Sequence, residues 1–250
     1  MLFQSRDPKL QGDLPPAPDD APQGAIISPD TRRGSTDARI PPHQARTKKW
    51  PVLDAGGPPD IDLKNLSWWR LELGGLIEVE ASFTWAEFQK LPRIKVFADM
   101  HCVTRWSRLG NVWEGVSARE LAKHVQIKPD AKFVMIHAYD KGFSFLGGRT
   151  DWSTNLPLDY FLDEDCLFAD THDGQPITLE HGGPLRLIVP KLYAWKSAKW
   201  VKAIEFRATD APGFWERGGY HMLGDPWKEQ RYRFSGDGDE TDEDDPAGAI

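Results

Sequence analysis

Between His181 and Ile204 the chain places Arg186, Lys191, Lys196, Lys199 and Lys202 without a single carboxylate, although its formal net charge is -7. Five cations cannot enter a core unaccompanied; they must reach water or meet an anion. Tyr193, Trp195 and Trp200 lie among them. Two arrangements satisfy this pattern. The lysines can line the solvent side of a strand whose aromatics face inward. Alternatively, the stretch forms a cradle in which flat rings meet a ring system and the cations meet a phosphate. His181-Gly182-Gly183-Pro184 permits a close backbone turn and then stops it. In the apolar run Leu185 to Val189, Arg186 is the one polar residue. A guanidinium there suits a phosphate, because it is a rigid two-pronged donor that keeps its charge when desolvated.

With 250 residues, 40% of them hydrophobic, the chain can bury one sizeable core. Residues 1–42 hold eight of the 20 prolines and no apolar run, and read as an irregular arm. Residues 236–250 hold seven acids and no Lys or Arg, so this acidic, disordered tail carries the whole net charge. The expected domain is therefore 43–235. Met1 to Asp20 has no apolar segment resembling an export signal, and no run is long enough to span a bilayer. Two cysteines, Cys102 and Cys166, fit a reducing compartment. A cytoplasmic protein is expected, with neither a membrane span nor a nucleic-acid partner.

Short apolar runs predict strands at Trp68 to Leu73, Ile94 to Ala98, Lys132 to Ala138, Cys166 to Ala169, Leu185 to Val189 and Val201 to Phe206. Thr84 with Glu87 and Ser117 with Glu120 have the spacing of capping boxes and predict two helices. A third is predicted over Pro157 to Leu162, with Pro157 in its first turn and Asn155 as a cap. Strands and helices do not alternate strictly, which points to an α+β fold with mixed sheets.

Cys102 stands in Asp-Met-His-Cys-Val-Thr-Arg-Trp-Ser. At a strand end near Arg105 and Arg108 its thiol should ionise more readily than that of a core cysteine; a small buried core residue is the other reading. The pattern Cys-Val-x-x-Trp-Ser resembles the metal-ligand segment of the sulfite oxidase family, in its compact bacterial, molybdopterin-dependent branch. His181, Pro184 and Arg186, followed by Ser197, Ala198 and Lys199, resemble the family's pterin-phosphate cradle. Trp215-x-Arg217-x-x-Tyr220 resembles the segment that puts a tyrosine at the substrate pocket. The resemblance covers about Ile40 to Arg233.

The resemblance implies a sulfite oxidase-type molybdopterin-binding fold, with Cys102 as the ligand of a molybdenum-molybdopterin cofactor. It also implies Tyr220 as a donor at the reaction site, with Arg105, Arg108 or Arg217 drawing in substrate. His137 or Asp140, and Arg46 or Lys48, are further cofactor contacts on this basis. The implied activity moves an oxygen atom to or from a small sulfite, sulfoxide or N-oxide. Trp106 and Ser107 stand where animal sulfite oxidases carry paired arginines, closer to bacterial sulfoxide reductases. The chain has no haem motif, flavin fingerprint or cysteine cluster, so a separate electron-transfer protein is expected. The alternative is a carrier or storage protein for the molybdenum pterin.

Overall fold

The computed structural model describes residues 21–31, 36–143 and 149–235. The acidic tail and the first 20 residues of the proline-rich arm lie outside them. Twelve strands run in chain order: β1 (Ile26–Ile27), β2 (Ala45–Arg46), β3 (Arg70–Gly75), β4 (Ala81–Thr84), β5 (Ile94–His101), β6 (Trp106–Ser117), β7 (Phe133–Phe143), β8 (Arg149–Pro157), β9 (Leu167–His172), β10 (Gln175–Pro176), β11 (Arg186–Ile188) and β12 (Val201–Arg207). Four short helices join them: α1 (Trp85–Phe88), α2 (Ala118–Ala122), α3 (Leu158–Phe161) and α4 (Phe214–Arg217). The expected α+β class holds.

One sheet has the order β1-β5-β6-β9-β10, with β11 also on β9 and β2 on β6; the other has the order β4-β3-β12-β7-β8. The first sheet is buried on both faces. Along β9, Leu167 and Ala169 enter one apolar cluster while Phe168 enters the other. The larger cluster joins this sheet to the second through Val116, Phe168 and Leu187 against Leu71, Leu73 and Ile204. Double-sided burial is why these strands read as continuous apolar runs.

The described part of the arm is anchored. β1 pairs in parallel with β5. Arg39 forms a buried ion pair with Asp99, its Nη2 2.5 Å from Oδ1. The described residues of the arm are therefore tied to the first sheet at β1 and at Arg39.

Thr84 and Glu87 complete the reciprocal capping box at α1, and Ser117 caps α2 through the Glu120 amide. The reading of α3 needs correction. Pro157 occupies the cap position, and Asn155 belongs to β8, where its amide bonds Asp210 and its oxygen takes a bond from Lys196. β1, β2, β4, β6, β8 and β10 have no counterpart among the predicted strands. The strand predicted over Ile94 to Ala98 continues to His101.

Candidate active site

β5 and β6 form a hairpin whose turn, Cys102 to Arg105, is closed by the Cys102 amide donating to the Trp106 carbonyl at 2.9 Å and the Arg105 amide to the Cys102 carbonyl at 2.9 Å. Arg105 takes the left-handed conformation, φ 71°, and its side chain is exposed. Cys102 and Thr104 instead face a cavity of about 200 Å³. The Thr104 hydroxyl donates to Cys102 Sγ at 3.2 Å. Burial pushes the thiol above its ordinary range, opposed by that hydrogen bond and by Arg186 and Arg231. The expected easy ionisation is thus corrected. The isolated thiol is disfavoured as an anion, and the cations that favour its thiolate are not Arg105 and Arg108.

Across the cavity, Arg186 is 4% exposed and projects from β11. Its Nη1 donates to the His181 carbonyl at 2.8 Å, its guanidinium lies 5.4 Å from the Trp50 ring centre, and its Nε has no partner among the described residues. Burial lowers its pKa to about 10, so it remains a cation. Lys199 lines the same cavity and donates to the Glu180 carbonyl at 2.7 Å; burial and then Arg186 bring its pKa down to about 8. Gly182, at φ 107°, lets the turn lie on the Lys199 stem, where an added Cβ would come within 2.9 Å. The peptide Gly183–Pro184 is cis.

His181 supports this wall rather than lining it. Its Nε2 donates to the Trp50 carbonyl at 3.0 Å, which leaves Nδ1 to accept from Thr178, and its ring lies 3.9 Å from that of Trp50. Burial lowers its pKa and favours the neutral ring. Ser197 lines the cavity and holds the β11 end by accepting from the Val189 amide at 3.0 Å. Ala198 is buried, its carbonyl accepting from the Leu187 amide. Lys196 is wholly buried, so it at least does not lie on a solvated strand face.

The second sheet contributes Asp140 from β7 and Trp152 from β8. Asp140 is 4% exposed, its Oδ1 has no partner among the described residues, and burial raises its pKa to about 7. Trp50, Trp195, Trp215 and Tyr220 make much of the remaining wall aromatic, and Asp54 adds a second carboxylate. Burial pushes the Tyr220 hydroxyl up to about 12, so it stays a proton donor.

Lys196 and Glu216 fix this wall from behind. Lys196 Nζ donates to Glu216 Oε1, Asn155 Oδ1 and the Met222 carbonyl, each at 2.7 Å. Glu216 Oε1 also accepts from Trp195 Nε1 at 3.0 Å and Thr154 Oγ1 at 3.2 Å.

Cys102, Asp140, Arg186, Ser197, Lys199 and Tyr220 are thus brought to one cavity, with His181 and Ala198 packed behind it. Five other sequence candidates do not line this cavity. His137 sits on β7 with Nε2 3.2 Å from Glu205 Oε2 and does not line the cavity. Arg46 lies on the edge strand β2, beside Ser107. Arg105 points to solvent. Arg108 is engaged by Asp173 at 2.6 Å, and Arg217 is exposed with Nη1 on the Pro212 carbonyl at 3.0 Å.

Sequence reasoning missed Trp50, Trp152 and Arg231. Trp50 carries the same signal as the cradle, an aromatic beside the cations Lys48 and Lys49. Arg231 is buried, donates to the Val103 carbonyl at 2.7 Å and stacks 5.0 Å from the Tyr193 ring centre. Nothing local marks it, because the Val103 carbonyl and the Tyr193 ring are distant in sequence.

The cavity has the donor set that a metal-bound pterin phosphate needs. A buried thiol, a buried guanidinium with an N–H lacking a partner among the described residues, an ammonium and a carboxyl oxygen likewise without one line it together, the last able to meet ring N–H groups. Residues 55–215 match the family model described as oxidoreductase molybdopterin binding domain. The chain is 44% identical over 202 residues to the uncharacterized oxidoreductase YuiH of Bacillus subtilis, covering 81% of this chain and 96% of that protein. It is 26% identical to a putative protein-methionine-sulfoxide reductase subunit, YedZ1, of Azospira oryzae, over 75% of this chain and 67% of that one. Among solved structures, the sulfane dehydrogenase SoxCD of Paracoccus pantotrophus shares the fold, with a TM-score of 0.50 and 21% identity over 60% of this chain and 40% of that chain. Fold, cavity and sequence agree that the chain belongs to the oxidoreductase molybdopterin binding domain family and is a molybdopterin-dependent oxidoreductase of the sulfite oxidase type.

Proposed function

We propose that the chain reduces a small neutral S-oxide or N-oxide by oxygen-atom transfer, using a molybdenum cofactor held between Cys102 and the Arg186–Lys199 wall. The observation that carries this reading is convergence. A buried thiol, an unpaired Arg186 N–H and an unpaired Asp140 oxygen meet in one cavity from two different sheets. Arg186 and Lys199 suit the phosphate, Asp140 the pterin ring N–H groups, and Cys102 the metal. When bound, the cofactor supplies the two-electron redox chemistry and the site at which oxygen is exchanged.

The protein's own residues do the rest. Thr104 donates to Cys102 Sγ and, with Arg186 and Arg231, offsets the cost of a buried thiolate. Tyr220 keeps its proton at neutral pH and can donate to the oxygen of a bound substrate. Trp152, Trp195 and Trp215 exclude water and offer flat apolar walls. Arg105, Arg108 and Arg217 do not line the cavity, and among the described residues its lining cations are Arg186 and Lys199, both of the cradle. This favours a sulfoxide over sulfite, in keeping with the reductase name of the Azospira relative. Electrons come from a separate protein. Both cysteines are free, which suits a cytoplasmic setting, and no helix among the described residues is long and apolar enough to cross a membrane.

Protein from a molybdenum-replete host should hold about one molybdenum per chain, as a single thiolate site implies. It should turn over a sulfoxide or N-oxide with an artificial donor. Zinc in place of molybdenum, or turnover of sulfite alone, overturns the reading. Tyr220→Phe separates an enzyme from a carrier: turnover per molybdenum should fall by roughly tenfold to a thousandfold at constant metal content. A carrier would be indifferent to the change.

A further inference from the structure

The outer side of the Cys102 hairpin is strongly basic. From Ala38 to Leu53 the chain has no carboxylate but carries Arg39, His43, Arg46, Lys48 and Lys49. Arg39 is buried on Asp99; Lys48 and Lys49 are exposed and Arg46 half-exposed. β2 lays this segment along the hairpin: the Ala45 amide donates to the Arg105 carbonyl at 2.8 Å and the Thr47 amide to the Ser107 carbonyl at 2.9 Å. Exposed Arg105 thus joins the same cations. Among the described residues, Asp173 is engaged by Arg108 and Glu229 by His43, while Asp54, next in the chain, lines the cavity.

We infer that this edge, β2 with the tip of the Cys102 hairpin, is the docking surface for an acidic electron-carrier protein. The inference rests on the oxidoreductase reading and names its partner's chemistry and place. In the reductive direction each turnover takes two electrons from the carrier and two protons from water, and the substrate's oxygen leaves as water. The surface is electronically close to the site. The Cys102 carbonyl accepts from the Arg105 amide at 2.9 Å and from Gln44 Nε2 at 3.1 Å, so one hydrogen bond separates the basic edge from the backbone of the metal-ligand residue. Arg105 and Arg46 do not themselves line the cavity, so their charges lie outside it. A cluster of one sign steers an oppositely charged protein and raises its rate of encounter, in a way that salt removes.

The test follows reduction of the oxidised, cofactor-loaded enzyme by a photoreduced acidic flavodoxin, and separately by reduced riboflavin, a small donor without a docking face. For the unaltered enzyme the flavodoxin rate should fall steeply with added NaCl, whereas the riboflavin rate should not. The double variant Lys49→Glu/Arg105→Glu should slow flavodoxin tenfold or more and flatten its salt dependence, with the riboflavin rate unchanged. Equal flavodoxin rates in variant and parent overturn the inference, as does a parallel loss with both donors, which would place these residues at the centre itself. Salt sensitivity that emerges only after deletion of residues 236–250 also overturns it, by assigning the basic edge to the chain's own acidic segment. An unaltered loaded enzyme that accepts no electrons from riboflavin sinks the oxidoreductase reading instead.

Discussion

Asp140 and Cys102 share a condition: burial disfavours the anion of each. The folded protein raises Asp140 to about 7 from an ordinary 3.8, chiefly by burial. Between those values the folded state holds a proton that the unfolded chain has released, so stability falls as pH rises through the window. The loss is at most roughly 1.4 kcal/mol per pH unit. In cofactor-free protein, Asp140→Asn should therefore flatten the decline in melting temperature between about pH 4 and pH 7 and leave the variant the more stable at pH 8. An unchanged slope in thermal melts would show that Asp140 is solvated. Cys102→Ser should abolish turnover while leaving pterin phosphate bound, since Arg186 and Lys199 anchor it separately and a hydroxyl is a harder donor than a thiolate. Full activity in that variant would remove Cys102 from the metal. Both residues were legible in the sequence, Cys102 from its motif and Asp140 as one of two polar candidates on β7. What the sequence could not show was that Arg105, three residues from the cysteine, turns outward through a left-handed backbone, while Arg186 and Arg231 from distant segments supply the charge.

At the level of elements, two missed strands, β6 and β8, fail to look apolar because they bury polar groups. β6 turns Ser107, Asn111 and Gly115 inward; Asn111 Nδ2 is satisfied by the Ala98 and Arg108 carbonyls, and a Cβ on Gly115 would strike the Phe168 carbonyl at 2.0 Å. The expected alternation of apolar residues is therefore broken wherever packing is tightest. β8 hides Thr154 and Asn155 for another reason, since both serve the Lys196–Glu216 pair. That pair ties β8, α4 and the turn carrying Trp195 into one aromatic wall. Glu216→Ala would strand the Lys196 ammonium at 0% exposure, and breaking such a pair costs about 3–5 kcal/mol. Urea denaturation should show that loss, and the fraction that remains folded should lose substrate affinity through Trp195. Lys196→Met/Glu216→Leu should recover a large part of the stability, because no buried charge is left alone. If the single and double variants unfold at the same urea concentration, the pair contributes only packing.

Across the whole molecule, the cavity is a joint between two sheets. Cys102 and Arg186 belong to the first, Asp140 and Trp152 to the second. The class of fold was legible because capped helices and irregularly spaced strands exclude strict α/β alternation. The division into two sheets was not, since pairings such as β12 with β3 and β7 join residues far apart in the chain. A ligand that touches both sheets stabilises the folded state by mass action, by about 4 kcal/mol at a thousand times its dissociation constant. Arg186 gives this a two-sided consequence. Without the cofactor it is a buried cation with an unpaired Nε, so Arg186→Ala should leave the melting temperature of cofactor-free protein unchanged or higher. With cofactor supplied, the same variant should lose most of the stabilisation seen in the parent, since one charge-assisted phosphate partner is worth roughly 2 kcal/mol. The measurement is a pair of melting curves, cofactor-free and loaded, for parent and variant. A variant that is destabilised without cofactor yet gains as much as the parent on loading would make Arg186 a packing residue of β11 and leave the phosphate to Lys199.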